Sequence, residues 1–139
     1  MKRTLKNLVG SLGMIVIISA LFAFVTPQDQ KAGGAWNIPA KYKSMKSTKA
    51  TPESEKVGKL LYAKHCKSCH GNVGEGDGPK AASMKTKMTS FKDAKFQAQG
   101  DGDIYFQSFV GRGEMPNFEK KILDDEDRWA IVHYMRTLK

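Results

Sequence analysis

The chain has 139 residues, a formal net charge of +9 and two cysteines, which together favour a single small domain. Its lysines are scattered singly, with no helix-turn-helix, zinc-finger or RNA-binding signature, so the charge points to an acidic protein partner rather than to nucleic acid. With no third cysteine, a four-thiolate metal site and a second disulfide are both excluded.

Residues 1–26 read as a targeting segment. Lys2, Arg3 and Lys6 precede LVGSLGMIVIISALFAFV, residues 8–25, which carry no charge. A positive start before an apolar run is a secretory signal, and it directs the remainder of the chain to the exported side. The run would span about 27 Å as a helix, close to a bilayer core, and no Ala-x-Ala stands at its end. Both an uncleaved transmembrane anchor and a cleaved signal peptide therefore stay open. Residues 27–50, rich in Lys, Ser, Gly and Pro, read as a flexible linker. Within it WNIPAKY, residues 36–42, is too apolar for a spacer and is expected to pack on the domain or to meet a partner.

The domain is expected over residues 51–139. Thr51-Pro52-Glu53 predicts a helix start: a capping hydroxyl, a proline in the first turn and an acid at the positive dipole end. Val57, Leu60, Leu61 and Lys64 recur at helical spacing, and Gly58 and Tyr62 stand four apart on a neighbouring stripe. The helix leads to Cys66-Lys67-Ser68-Cys69-His70. Two thiols about one helical turn apart suit addition to the two vinyl groups on one edge of a porphyrin, and a histidine directly after them can reach the iron; this is the attachment pattern of c-type haem. A thioredoxin-like pair would need a βαβ setting, which is missing. A zinc site built from Cys66, Cys69 and two of His65, His70 and His133 would have one ligand pair instead of two.

Residues 71–79, GNVGEGDGP, predict a tight loop; without a preceding strand or a Lys-Ser/Thr ending it is not a phosphate loop. Residues 80–100 hold Met84, Met88, Phe91 and Phe96 among lysines and read as irregular chain lining one side of the cofactor. Asp101 is expected to cap a short helix over residues 102–110. Met115 lies on the Gly- and Pro-framed loop GRGEMPNF, where its thioether is a soft ligand suited to haem iron. Asp124 is expected to cap the last helix, with Ile131, Tyr134, Met135 and Leu138 on its core face and His133 off that stripe, at the surface.

Over about residues 55–139 the motifs CKSCHG, GDGP, GRGEMP and LDDEDRWAIVHYMRTL make the chain resemble a class I, monohaem cytochrome c. The resemblance implies an all-α fold of small helices wrapped around one covalent haem c. It puts the thioethers on Cys66 and Cys69, and the axial ligands on His70 and Met115. It puts the carbonyl that accepts from the histidine Nδ1 on Pro79, a propionate contact on Arg112, and the crossing of first and last helices at Gly58, Tyr62 and Tyr134. The activity implied is one-electron transfer, not catalysis, in a respiratory or other periplasmic chain. Lys64, Lys67, Lys80, Lys85 and Lys87 would steer an acidic surface on a membrane oxidase or dehydrogenase. Two other readings remain at this stage: a haem peroxidase or gas sensor with a labile methionine, using His65 or His133, and an electron-transfer subunit of a larger enzyme.

Overall fold

Residues 34–139 are described here in a computed structural model, so the targeting segment proposed for residues 1–26 lies outside the described residues. Among the described residues no helix is long and apolar enough to cross a membrane. The elements, in order, are α1 (Ala40–Lys43), α2 (Pro52–His65), α3 (Lys67–His70), a 3-10 turn (Ala81–Ser83), α4 (Ala94–Gln97), α5 (Asp101–Tyr105), a π-helical turn (Phe106–Val110) and α6 (Asp125–Thr137). The fold is all-α; the described residues hold only one isolated β-bridge, between Arg112 and Met115.

Helix α2 starts where expected. The Thr51 hydroxyl accepts from Ser54 N, the Ser54 hydroxyl accepts from Thr51 N, and Pro52 opens the first turn. Its packing face differs from the apolar pattern. Leu60 is 72% exposed and Val57 40%, while Gly58 and Tyr62 are buried against α6. The crossing explains the choice. Gly58 lies against the Ala130 carbonyl, Tyr62 meets the Tyr134 ring at 5.2 Å, and the Tyr62 hydroxyl donates to Gly71 O at 2.8 Å.

Helix α6 is capped by Asp124, whose carboxylate accepts from Glu126 N. Ile131 and Met135 are buried as expected, and Tyr134 and Leu138 pack partly buried beside them. His133 is not at the surface: it is 5% exposed, with Nδ1 3.1 Å from the Ser54 hydroxyl of α2. Elements pack on more than one side of α6, burying Trp129, Ala130 and Val132 as well. At the helix start, Asp125 accepts from the Tyr105 hydroxyl at 2.6 Å and from the Trp129 indole at 3.1 Å, tying α5 to α6.

The helix expected over residues 102–110 is two pieces, with the backbone widening into the π turn at Phe106, so that Gly111 N reaches Phe106 O. Gly100, not Asp101, is its N-cap. Asp101 instead accepts from Arg136 at 2.7 Å and from the Ser47 hydroxyl at 2.8 Å, while Arg136 also donates to the carbonyls of Gln97 and Gln99. Burial pushes the Asp101 carboxyl up, but the Arg136 and Ser47 hydrogen bonds and the guanidinium charge outweigh it and hold the group below its ordinary value. A depressed carboxylate contributes stability that is complete above the unfolded aspartate value and is lost as pH falls through the folded one. Denaturant unfolding of Asp101→Asn should therefore show a deficit of about 1 kcal/mol near neutrality that disappears in acid. Wild-type and variant stability curves that run parallel through that acid window would remove Asp101 from the acid response.

Residues within the expected linker touch the domain. Residues 34–47 lie over α5 and the π turn. The Tyr42 ring stacks on Tyr105 and meets Phe106 edge-on at 4.7 Å, and Trp36 meets Phe106 edge-on at 6.1 Å. The two aromatics of WNIPAKY, Trp36 and Tyr42, thus pack on the domain.

Candidate functional site: a cofactor cavity

Helix α2 delivers Cys66, whose amide still bonds back to Tyr62 O, and α3 carries the chain through Cys69 to His70 in one turn. The glycine-rich loop then folds back onto α3. Gly76 N bonds to His70 O, Gly78 N to Cys69 O and Lys80 N to Ser68 O, at 2.9–3.2 Å. A side chain at position 78 would strike the Lys67 and Ser68 carbonyls at 2.6 Å, so this approach requires glycine.

The Met115 loop is closed in the same way. Met115 N bonds to Arg112 O at 2.9 Å, and Gly111, at φ +69°, packs against the Met115 and Pro116 carbonyls. Glu114, between them, accepts from Lys85 N at 3.0 Å and Thr86 N at 2.8 Å, and these bonds hold its carboxyl below its ordinary value.

These pieces enclose one cavity of about 660 Å³, lined by Cys66, Cys69, His70, Arg112 and Met115 together with Met84, Met88, Phe91 and Phe96. Cofactor sites run from roughly 300 to 1,000 Å³. The two cysteines are unpaired and half-buried, and burial, with Cys69 nearby, pushes the Cys66 thiol up to about 12. Burial pushes His70 down, which keeps the imidazole neutral and able to ligate. Its ring stacks on Phe91 at 4.8 Å, and its Nδ1 is buried without a hydrogen-bond partner among the described residues.

Pro79 does not line the cavity; its neighbour Lys80 does, and the Pro79 carbonyl is not bonded to His70 Nδ1. Arg112 reaches the cavity rim, but its guanidinium donates to the Ala35 and Gly34 carbonyls and lies 3.9 Å from the centre of the Trp36 ring. Of the five candidate lysines, Lys64, Lys80 and Lys87 line the cavity and Lys67 and Lys85 do not. Lys121, Trp36 and Glu114 line it without having been singled out for it in the sequence, although the acid in GRGEMP sits next to Met115. His65 lines the cavity and meets Phe118 edge-on at 6.0 Å, whereas His133 does not line it.

A family-level description of cytochrome c matches residues 55–139. The chain belongs to the cytochrome c family. Membership brings covalent haem c as the cofactor and electron transfer as the class of activity. The cytochrome fits that group on its own structure: two free thiols, a neutral imidazole with an orphaned nitrogen and an aromatic-walled cavity of suitable size occur together.

The cytochrome is also similar to solved structures. A chain of the Kuenenia stuttgartiensis reducing HAO-like protein complex Kustc0457/Kustc0458 is 30% identical with a TM-score of 0.61, over 69% of this chain and 48% of that one. The match thus spans about half of that chain's length. The KustC0563 c-type cytochrome is 34% identical with a TM-score of 0.51, over 59% of this chain and 96% of that one. No curated protein matches the sequence.

Proposed function

We propose that the protein is a one-electron carrier holding a single haem c through Cys66 and Cys69, with His70 and Met115 as axial ligands. The observation that carries this reading is the convergence of both thiols, the imidazole and the thioether on one cavity from two separate loops. Bound haem supplies a ferric/ferrous couple at a potential raised by the thioether. The chain's own part is to orient and exclude. The α3 turn presents His70, the closed 111–116 loop presents Met115, and the apolar wall keeps water away. The orphaned His70 Nδ1 needs an acceptor, and the Pro79 carbonyl is our candidate for it. Arg112 would serve a propionate, in competition with its present bonds to residues 34 and 35. Lys64, Lys80, Lys87 and Lys121 at the rim would favour an acidic redox partner. We place the domain on the periplasmic side, as a respiratory or related carrier delivered by residues 1–26. Similarity to a chain of a reducing HAO-like protein complex supports docking against a larger redox protein.

Visible spectra of the oxidised and reduced holoprotein test the ligand set. The wild type should be low-spin, show the weak long-wavelength methionine-to-iron band and ignore CO. Met115→Ala should lose the band and bind CO fully.

One observation favours the second reading, a haem peroxidase or gas sensor. His65 lines the cavity, and burial together with Lys64 and Lys121 lowers its pKa, so a neutral imidazole is available there as a base. CO binding by the native reduced protein would put that reading first.

A further inference from the structure

Glu114 has no role in the ligand set, yet it makes the bonds that join two walls of the cavity. Its two carboxylate oxygens take the consecutive amides of Lys85 and Thr86, 2.8–3.0 Å away. Those amides belong to a stretch that bends at Lys85 and Thr86, in which Met84, Thr86 and Met88 are half-buried while Lys85, Lys87 and Thr89 are exposed. Met84, Thr86 and Met88 line the cavity. The other end of the latch is the residue before Met115, on a loop fixed from behind by the Arg112–Met115 bond and the Gly111 packing. A charged acceptor on two neutral donors gives the stronger class of hydrogen bond, and its two-point geometry fixes direction as well as distance.

We propose that Glu114 is a positioning residue for Met115: it latches the 84–88 wall to the methionine loop, and the latch holds the sulfur in place and closes the cavity to competing ligands. The proposal rests on the His70/Met115 ligand reading. Without the latch, the Lys85 and Thr86 amides turn to water and the 84–88 stretch is free to swing out. Met115 is then held from one side only.

The test uses full-length holoprotein of the wild type, Glu114→Ala and Glu114→Gln. Glu114→Ala should speed amide exchange at Lys85 and Thr86 by about tenfold or more. It should also weaken the methionine-to-iron band and admit CO to the reduced protein. Glu114→Gln keeps one acceptor oxygen, so it should fall between the two in all three readings; if the alanine variant does not fold, glutamine against wild type carries the comparison. Faster exchange with an unchanged band and unchanged CO resistance would leave Glu114 a wall tie without influence on Met115, and the proposal fails. A wild type lacking the band sinks the ligand reading and this proposal together, whereas a normal wild-type band with unaltered variants sinks the proposal alone.

Discussion

Gly58→Ala should lower the stability of the domain by about 3 kcal/mol or more, the upper end of what overpacking brings, because the new methyl meets backbone and not a flexible side chain. The β-carbon would stand 1.9 Å from the Ala130 carbonyl oxygen and 3.0 Å from Tyr134 Cβ. Alanine's better helix propensity returns only about 1 kcal/mol. The clash therefore wins, and α2 must lift off α6. For a domain of this size the melting temperature should fall by roughly 12–24 °C. Gly100→Ala is the control: its β-carbon would come no nearer to another residue than 3.6 Å, so it should melt within a few degrees of wild type. If Gly58→Ala also melted there, the close crossing of α2 and α6 would be wrong.

Gly102→Ala should release residues 34–47 while leaving the haem-binding core folded. Position 102 lies in the first turn of α5, where alanine is otherwise welcome, but its β-carbon would stand 1.9 Å from the Tyr42 carbonyl oxygen. The core can relieve this clash by letting the strap go. The strap is held by the Tyr42 and Trp36 ring contacts and the Ser47–Asp101 bond, so a destabilisation of about 2 kcal/mol would raise its open population about 30-fold. Trypsin reads this directly. Cleavage at Lys41, Lys43, Lys46 or Lys49 should speed up by that factor, since proteolysis follows the open population. The remaining domain should resist. Equal cleavage rates in the two proteins would mean that residues 34–47 are not held on the domain through Gly102.

What could be read without the structure was local in origin. A capping box needs three or four neighbouring residues, and Thr51 and Asp124 behave as their sequences suggest. The CKSCH run is equally local, since one helical turn sets the spacing of the thiols and the imidazole. The all-α fold and the crossing at Gly58, Tyr62 and Tyr134 followed from the resemblance. The apolar stripe of α2 misled: Val57 and Leu60 have the right spacing but face solvent, because a close helix crossing selects for a missing side chain, which hydrophobic periodicity does not register. His133 failed for the opposite reason. A single-faced helical pattern puts it outside, but α6 is covered on more than one side, and the Ser54 hydroxyl satisfies one ring nitrogen there.

The attachment pattern for haem c was already legible in residues 66–70, because it depends on residue type and short spacing. Three things needed the folded chain. One is that Cys66, Cys69, His70 and Met115 share a single cavity. Another is that residues 34–36, within the expected linker, contact Arg112. The third is that Glu114 ties the two cavity walls together. Each joins segments far apart along the chain, and the reach of a side chain across a cavity depends on how the helices cross. Position along the sequence encodes the reactive groups; the crossing of α2 and α6 and the loops they anchor set the distances between them.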